Sequence, residues 1–203
     1  MYNDSKLMLS AEEQQMVNNT NWILTKRIII DKVGLLFGSL ADSQKLIIEQ
    51  QADWLNPEIV NSTLKLLKGE NYLKLPYVLL DYPRFFEIEN IFAVRTMFWW
   101  GNFFSITLHL SGSYKQMFQK KIIERLSLSK QNFFICIHDS EWQHHFGSDN
   151  YILVKQLSDN NVQNNIYNKQ FIKLAIKFPL HPWNSIPTLL NEAFDEIINL
   201  LKT

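Results

Sequence analysis

The stretch RTMFWWGNFFSITLHL, residues 95–110, constrains the fold of this chain more than any other. It sits in a twenty-residue run from Ile91 to Leu110 whose one formal charge is Arg95. Such a run approaches the length of a bilayer-spanning helix. Yet Thr96, Ser105, Thr107 and His109 interrupt it, and Gly101-Asn102 stands at its centre. Gly followed by Asn suits the two positions of a tight turn, where positive φ is demanded. The run therefore predicts a long β-hairpin and no membrane span.

Folding at Gly101-Asn102 with a two-residue turn pairs Trp100 with Phe103, Phe98 with Ser105, Thr96 with Thr107 and Val94 with His109. Side chains alternate between the faces of a strand. One predicted face then carries Ile91, Ala93, Arg95, Met97, Trp99, Phe104, Ile106, Leu108 and Leu110, is nearly all apolar, and must be buried. The other carries aromatic rings near the turn and Thr96, Ser105, Thr107 and His109 toward its base.

Helices precede the hairpin. SAEE at 10–13 reads as a capping box, Ser10 capping and Glu13 reaching back. Apolar residues then recur at helical spacing, predicting one long helix or two that end near Gly38. A further helix is expected over 43–50 with Asp42 as its cap. Another opens at Asn56-Pro57 and closes at Lys68-Gly69. LPYVLLDY, 75–82, reads as a strand that stops before Pro83.

After the hairpin, residues 114–126 place Phe118, Ile122 and Leu126 four apart on a helix. Residues 132–138 and 151–157 read as strands, and the Asn-rich 158–170 as an exposed loop. FIKLAIKF, 171–178, alternates, with Lys173 and Lys177 on a wet face. A last helix runs from Ile186 to Lys202 with Ser185 as cap. The expectation is a single α+β domain over 1–203: N-terminal helices (about 10–69), then a mostly antiparallel sheet around the central hairpin (about 91–110). One helix is inserted between strands and a C-terminal helix packs on the sheet.

Of the 203 residues 46% are hydrophobic, enough for one good-sized core. Twenty basic and twenty acidic residues give a net charge of zero, which argues against a nucleic-acid partner. TKR at 25–27 and QKK at 119–121 are too short to form a basic patch and read as solvated helix positions. The single cysteine, Cys136, excludes an intrachain disulfide and lies in an apolar run as a small buried hydrophobe. The opening MYNDSKLMLSAEEQQ lacks the basic and apolar regions of a secretory signal, so a cytoplasmic setting is expected.

Few residues point to chemistry. Arg95, on an apolar face, needs a partner, and Asp81 at the end of the preceding strand is the candidate. Its two readings are an ion pair that fixes register and an anion clamp in a pocket. Arg84, in DYPRFFE, and the group Thr96, Thr107 and His109 are further candidates for lining a ligand site. HDSEWQHHF, 138–146, offers His138, Asp139, Glu141, His144 and His145 as potential ligands, with His138, Glu141 and His145 the metal candidates. In a helix Glu141 and His145 would share a face, but the spacing is not that of a zinc motif, so neither metal nor cofactor is expected.

Two functions remain in play, and the residues do not decide between enzyme and non-enzyme. One is a cytoplasmic protein-interaction domain using the rings of Trp99, Trp100, Phe103 and Phe104, with another protein or a second copy as partner. The other is a small-ligand-binding protein or enzyme, its pocket between the mixed sheet face and a helix.

Overall fold

Ser10 opens the first helix in the predicted way. Its hydroxyl accepts from the Glu13 backbone N–H, while the Glu13 carboxylate accepts from the Ser10 N–H at 2.7 Å. The structure, a computed structural model, describes residues 7–129 and 131–202. The opening residues 1–6, part of the stretch read for a leader, lie outside the described residues. Helix α1 (Ala11–Asn18) ends at Asn19, whose side chain caps α2 (Thr20–Glu49).

α2 overturns the expectation of a stop at Gly38 and a fresh start after Asp42, since it runs unbroken through both. A mid-helix Gly costs about 1 kcal/mol. Burial of Val33, Phe37, Leu40, Ala41 and Ile48 along one side outweighs it. The next prediction also fails in part. Asn56 and Pro57 do start a helix, but α3 (Pro57–Val60) is a single turn, and Lys65–Tyr72 is strand β1. Pairing with β2 (Leu75–Phe86) decides its conformation, with Leu66 opposite Leu80 and Lys68 opposite Val78. β2 itself continues past Pro83 through a register irregularity between Asp81 and Arg84.

The hairpin is present as β3 (Ile91–Trp99) and β4 (Phe103–Ser111). Its turn takes three residues, not two. Trp99 pairs with Phe103, leaving Trp100, Gly101 and Asn102 in the loop, with Gly101 at φ 70°. That single residue changes every cross-strand pair, because strand faces have a period of two. Thr96 now opposes Ile106 and Arg95 opposes Thr107, so the expectation that Thr96 and Thr107 share a face is overturned.

Beyond the hairpin come α4 (Gly112–Leu126), the short strands β5 (Phe134–Cys136) and β6 (Tyr151–Leu153), α5 (Asp159–Asn168), β7 (Phe171–Pro179) and α6 (Ile186–Leu201). The expected strands 132–138 and 151–157 shrink to three residues each. The expected loop at 158–170 is largely α5. Ser158 caps it, and Val162 and Ile166, four apart, are its buried side. The Ser185 hydroxyl bonds the Pro182 carbonyl and does not cap α6.

The fold is α+β, with six helices and one seven-stranded sheet among the described residues. The strand order is β1-β2-β3-β4-β7-β5-β6, and every described pairing is antiparallel. Even-numbered residues of β3, β4 and β7 form the face beneath the helices, where Val94, Phe98, Phe104, Ile106, Leu108 and Leu174 meet Phe37, Ile122 and Phe194. On that side α2 lies over β2, and α6 packs against both α2 and α4. Residues 137–150, between β5 and β6, run over the opposite face. Lys173, predicted on a wet face, is therefore 2% exposed, while Lys177 stays exposed. Among the described residues no helix is long and apolar enough to cross a membrane.

Candidate functional site

The sheet face away from the helices is built in cross-strand rows. One row reads Arg84, Ala93, His109 and Lys173; the next reads Asp81, Arg95, Thr107 and Ala175. Toward the hairpin turn lies an apolar group of Leu79, Met97, Trp99 and Phe103. A band of charge and hydroxyl thus crosses the middle of the sheet, beneath the 137–150 segment. No single strand announces it. The register alone aligns these residues.

Arg95 and Asp81 form the predicted pair. Nε donates to Oδ1 at 2.6 Å and Nη2 to Oδ2 at 2.8 Å, the planar fork that favours Arg over Lys. The third arm, Nη1, donates to Nε2 of His144 at 3.1 Å. A guanidinium has no lone pair to offer, so His144 accepts, and its neutral form carries the proton on Nδ1. Burial, reinforced by the charges of Lys173 and Arg95, pushes the His144 pKa down to about 2.

His109 and Glu141 form the second pair, Nε2 donating to Oε2 at 2.8 Å. Burial lowers the His109 pKa against the pull of Glu141, and the hydrogen bond from His109 lowers that of Glu141. The pair is a neutral imidazole donating to an ionised carboxylate. Trp142 and Phe171 stand edge-on to the imidazole, at 5.6 and 6.1 Å between ring centroids.

Backbone completes the layer. Lys173 Nζ donates to the carbonyls of Glu141 and Gln143 at 2.7 and 2.6 Å. Burial pushes its pKa down to about 8, so it stays charged at neutral pH. Lys169 ties the carbonyls of Ile137 and His138 in the same way. The Tyr72 hydroxyl accepts from the N–H groups of His144 and His145 at 2.7 and 2.9 Å. Phe146 stacks on Tyr151 and meets Phe103 and Phe134 edge-on. Cys136 is buried, its thiol donating to Asn150 Oδ1 at 3.4 Å, and burial raises its pKa.

The residues singled out from sequence divide sharply. Arg95, Thr107, His109 and Arg84 fall in the two polar rows. Thr96 does not; it is buried under the helices, and its Oγ1 has no hydrogen-bond partner among the described residues. Trp99, Phe103 and Phe104 are buried and Trp100 is half-buried, so the hairpin tip is no open ring surface. His138, Glu141 and His145 do not converge. Residues 141–147 form no helix, Glu141 goes to His109, and His138 Nδ1 accepts from the Ser140 N–H. Among the described residues no three His, Cys, Asp or Glu side chains are grouped to hold a metal ion.

Lys173 and Tyr72 were missed, and His144, noted only as a member of the 138–146 cluster, was not foreseen as a partner of Arg95. Their sequence signals are ordinary, and only the crossing of 137–150 over the sheet makes them partners. At one end of the band opens a cleft of about 840 Å³, walled by Glu89, Asp139, Glu141, Trp142, Lys169 and Phe171. It reaches the polar layer at Glu141, whose carboxylate accepts from His109. No family model, curated protein or solved structure matches this chain, so its function is argued from its own residues.

Proposed function

We propose that this chain is a small-ligand-binding protein, and that its ligand carries an amine. The observation that carries the reading is the cleft at Glu141. Its wall holds three carboxylates, Glu89, Asp139 and Glu141, against one ammonium, Lys169, which already serves two backbone carbonyls. Trp142, about half exposed, adds an aromatic face of the kind that attracts cations. Glu141 is held ionised by His109, so a cation entering the cleft meets a fixed negative charge.

Perturbed, mutually bonded ionisable groups beside a cleft make it a candidate functional site. Arg95 belongs to the scaffold of this site, since its fork is occupied by Asp81 and His144. A cytoplasmic setting is proposed with it, on the free and buried Cys136, a thiol usage suited to a reducing compartment. The exposed-ring reading is set aside, because the rings that motivated it are packed.

The test is a thermal-shift series with small amines and their matched carboxylates at constant ionic strength. Amines should raise the Tm of the unmodified protein. Glu141→Gln and Trp142→Ala should each abolish that rise while keeping a cooperative melt. A rise with carboxylates alone, or with neither class, would overturn the proposal.

A further inference from the structure

We infer that the chain pairs with a second copy of itself, the two α2 helices packing antiparallel about Leu35. α2 is apolar on two sides. Val33, Phe37, Leu40, Ala41 and Ile48 face the sheet, while Leu24, Ile28, Leu35 and Leu46 are 51, 55, 76 and 62% exposed. At 100° per residue these four fall within about 40° of one another, on the side opposite the buried set. A helix apolar on both sides belongs between two layers, and the described residues supply only one.

The spacing names the occupant. Leu24, Leu35 and Leu46 are separated by eleven residues each, so these three leucines read the same from either end, while Ile28 maps onto Asp42. A two-fold axis at Leu35 sets Leu35 against Leu35 of the other copy and Leu24 against its Leu46. Isologous interfaces require this self-complementarity, and C2 dimers are the commonest assembly. One turn beyond Leu35 stand Gly38 and Ser39, and a Cβ added at Gly38 would meet nothing within 4 Å. That open spot lets the opposing Leu35 seat closely.

Charge points the same way. Lys26 lies on the sheet side, paired with Glu70, so beside the stripe the first half of α2 carries Arg27 and Lys32 against Asp31, and the second half Asp42 and Glu49 against Lys45. Antiparallel packing lays the basic half over the acidic half, and brings Asp42 beside Arg27 of the other copy. The same two aspartates, Asp42 within the stripe and Asp31 beside it, disfavour its insertion into a lipid surface.

The test uses the whole chain. Sedimentation velocity from low to high micromolar concentration should show a dimer that dissociates on dilution. Leu35→Lys, at an exposed position, should keep the circular dichroism spectrum and raise the dimer Kd by at least about tenfold. With a short bismaleimide, Leu35→Cys should cross-link to itself. Leu24→Cys and Leu46→Cys should cross-link when mixed and not alone, since like positions then stand about 33 Å apart; the native Cys136 is buried. A monomer at every concentration, self-cross-linking of Leu24→Cys, or a monomer that binds anionic phospholipid vesicles would each overturn the proposal.

Discussion

The two faces of one sheet treat polar groups in opposite ways. Under the helices the sheet is a closed apolar core, and several of the polar side chains trapped there stand alone. Thr96 Oγ1 and both polar atoms of Gln44 are buried without a hydrogen-bond partner among the described residues. Under residues 137–150 the buried polar groups are many and engaged: Asp81 with Arg95, Arg95 with His144, His109 with Glu141, Lys173 with two carbonyls. The difference lies in what covers each face. Helices satisfy their own backbone and present side chains, so they complement an apolar surface. An irregular segment brings unpaired carbonyls and N–H groups that must be bonded once water is excluded. A charged sheet face supplies those bonds.

The largest expected effect comes from breaking the Arg95–Asp81 pair. Arg95→Ala strands a buried carboxylate and should cost about 3–5 kcal/mol. Replacing both partners by apolar residues should cost less than the sum of the single changes, read by chemical denaturation of all four proteins. If Arg95→Ala loses less than about half a kcal/mol, the polar layer has no structural role and the contrast between the faces fails.

Acid should act next, through the loop-covered face. The folded pKa of His144 lies near 2, below its unfolded value near 6.5. Between those values the unfolded chain binds a proton that the folded chain refuses, so stability falls as pH drops below about 6.5. Protonation would set an imidazolium against the Arg95 guanidinium. From pH 6.5 to 5 this group should remove about 2 kcal/mol. His144→Gln should reduce the slope of that part of the stability–pH curve, the lowered pKa of His109 accounting for part of what remains; an unchanged slope would mean that His144 is free to protonate in the folded state.

Smaller effects of opposite sign belong to the helix-covered face. Gln44→Met removes two unpartnered polar atoms at similar volume, and should stabilise by about 1–2 kcal/mol. Thr96→Val, replacing one such hydroxyl with a methyl, should add up to about 1 kcal/mol. Losses on either substitution, measured as a lower denaturation midpoint, would show that these groups do have partners and that the two faces are alike.

Much of the architecture was legible because it depends on local chemistry. The capping box of Ser10 and Glu13, the turn near Gly101, the strand at β7 and the spacing of Phe118, Ile122 and Leu126 each express the steric preferences of one segment. Failures cluster where a second segment decides. Lys65–Tyr72 is a strand because β2 lies beside it, and Asn-rich 159–168 is a helix because Val162 and Ile166 have a core to enter.

The candidate site follows the same division. The need of Arg95 for an acid, and Asp81 as that acid, could be read from burial energetics on one strand and its neighbour. His109 could be singled out, but its partner could not, for Glu141 lies 32 residues away in a segment with no periodicity. By itself the sequence determined the helices that carry their own caps, the hairpin and its approximate turn, and the pairing of Arg95 with Asp81. These depend on interactions between near neighbours along the chain. Tertiary structure alone decided which face each hairpin residue joins, because one added turn residue reverses the parity of every pair. It also decided that Lys173 is buried and charged, because the cover over a strand belongs to a different part of the chain.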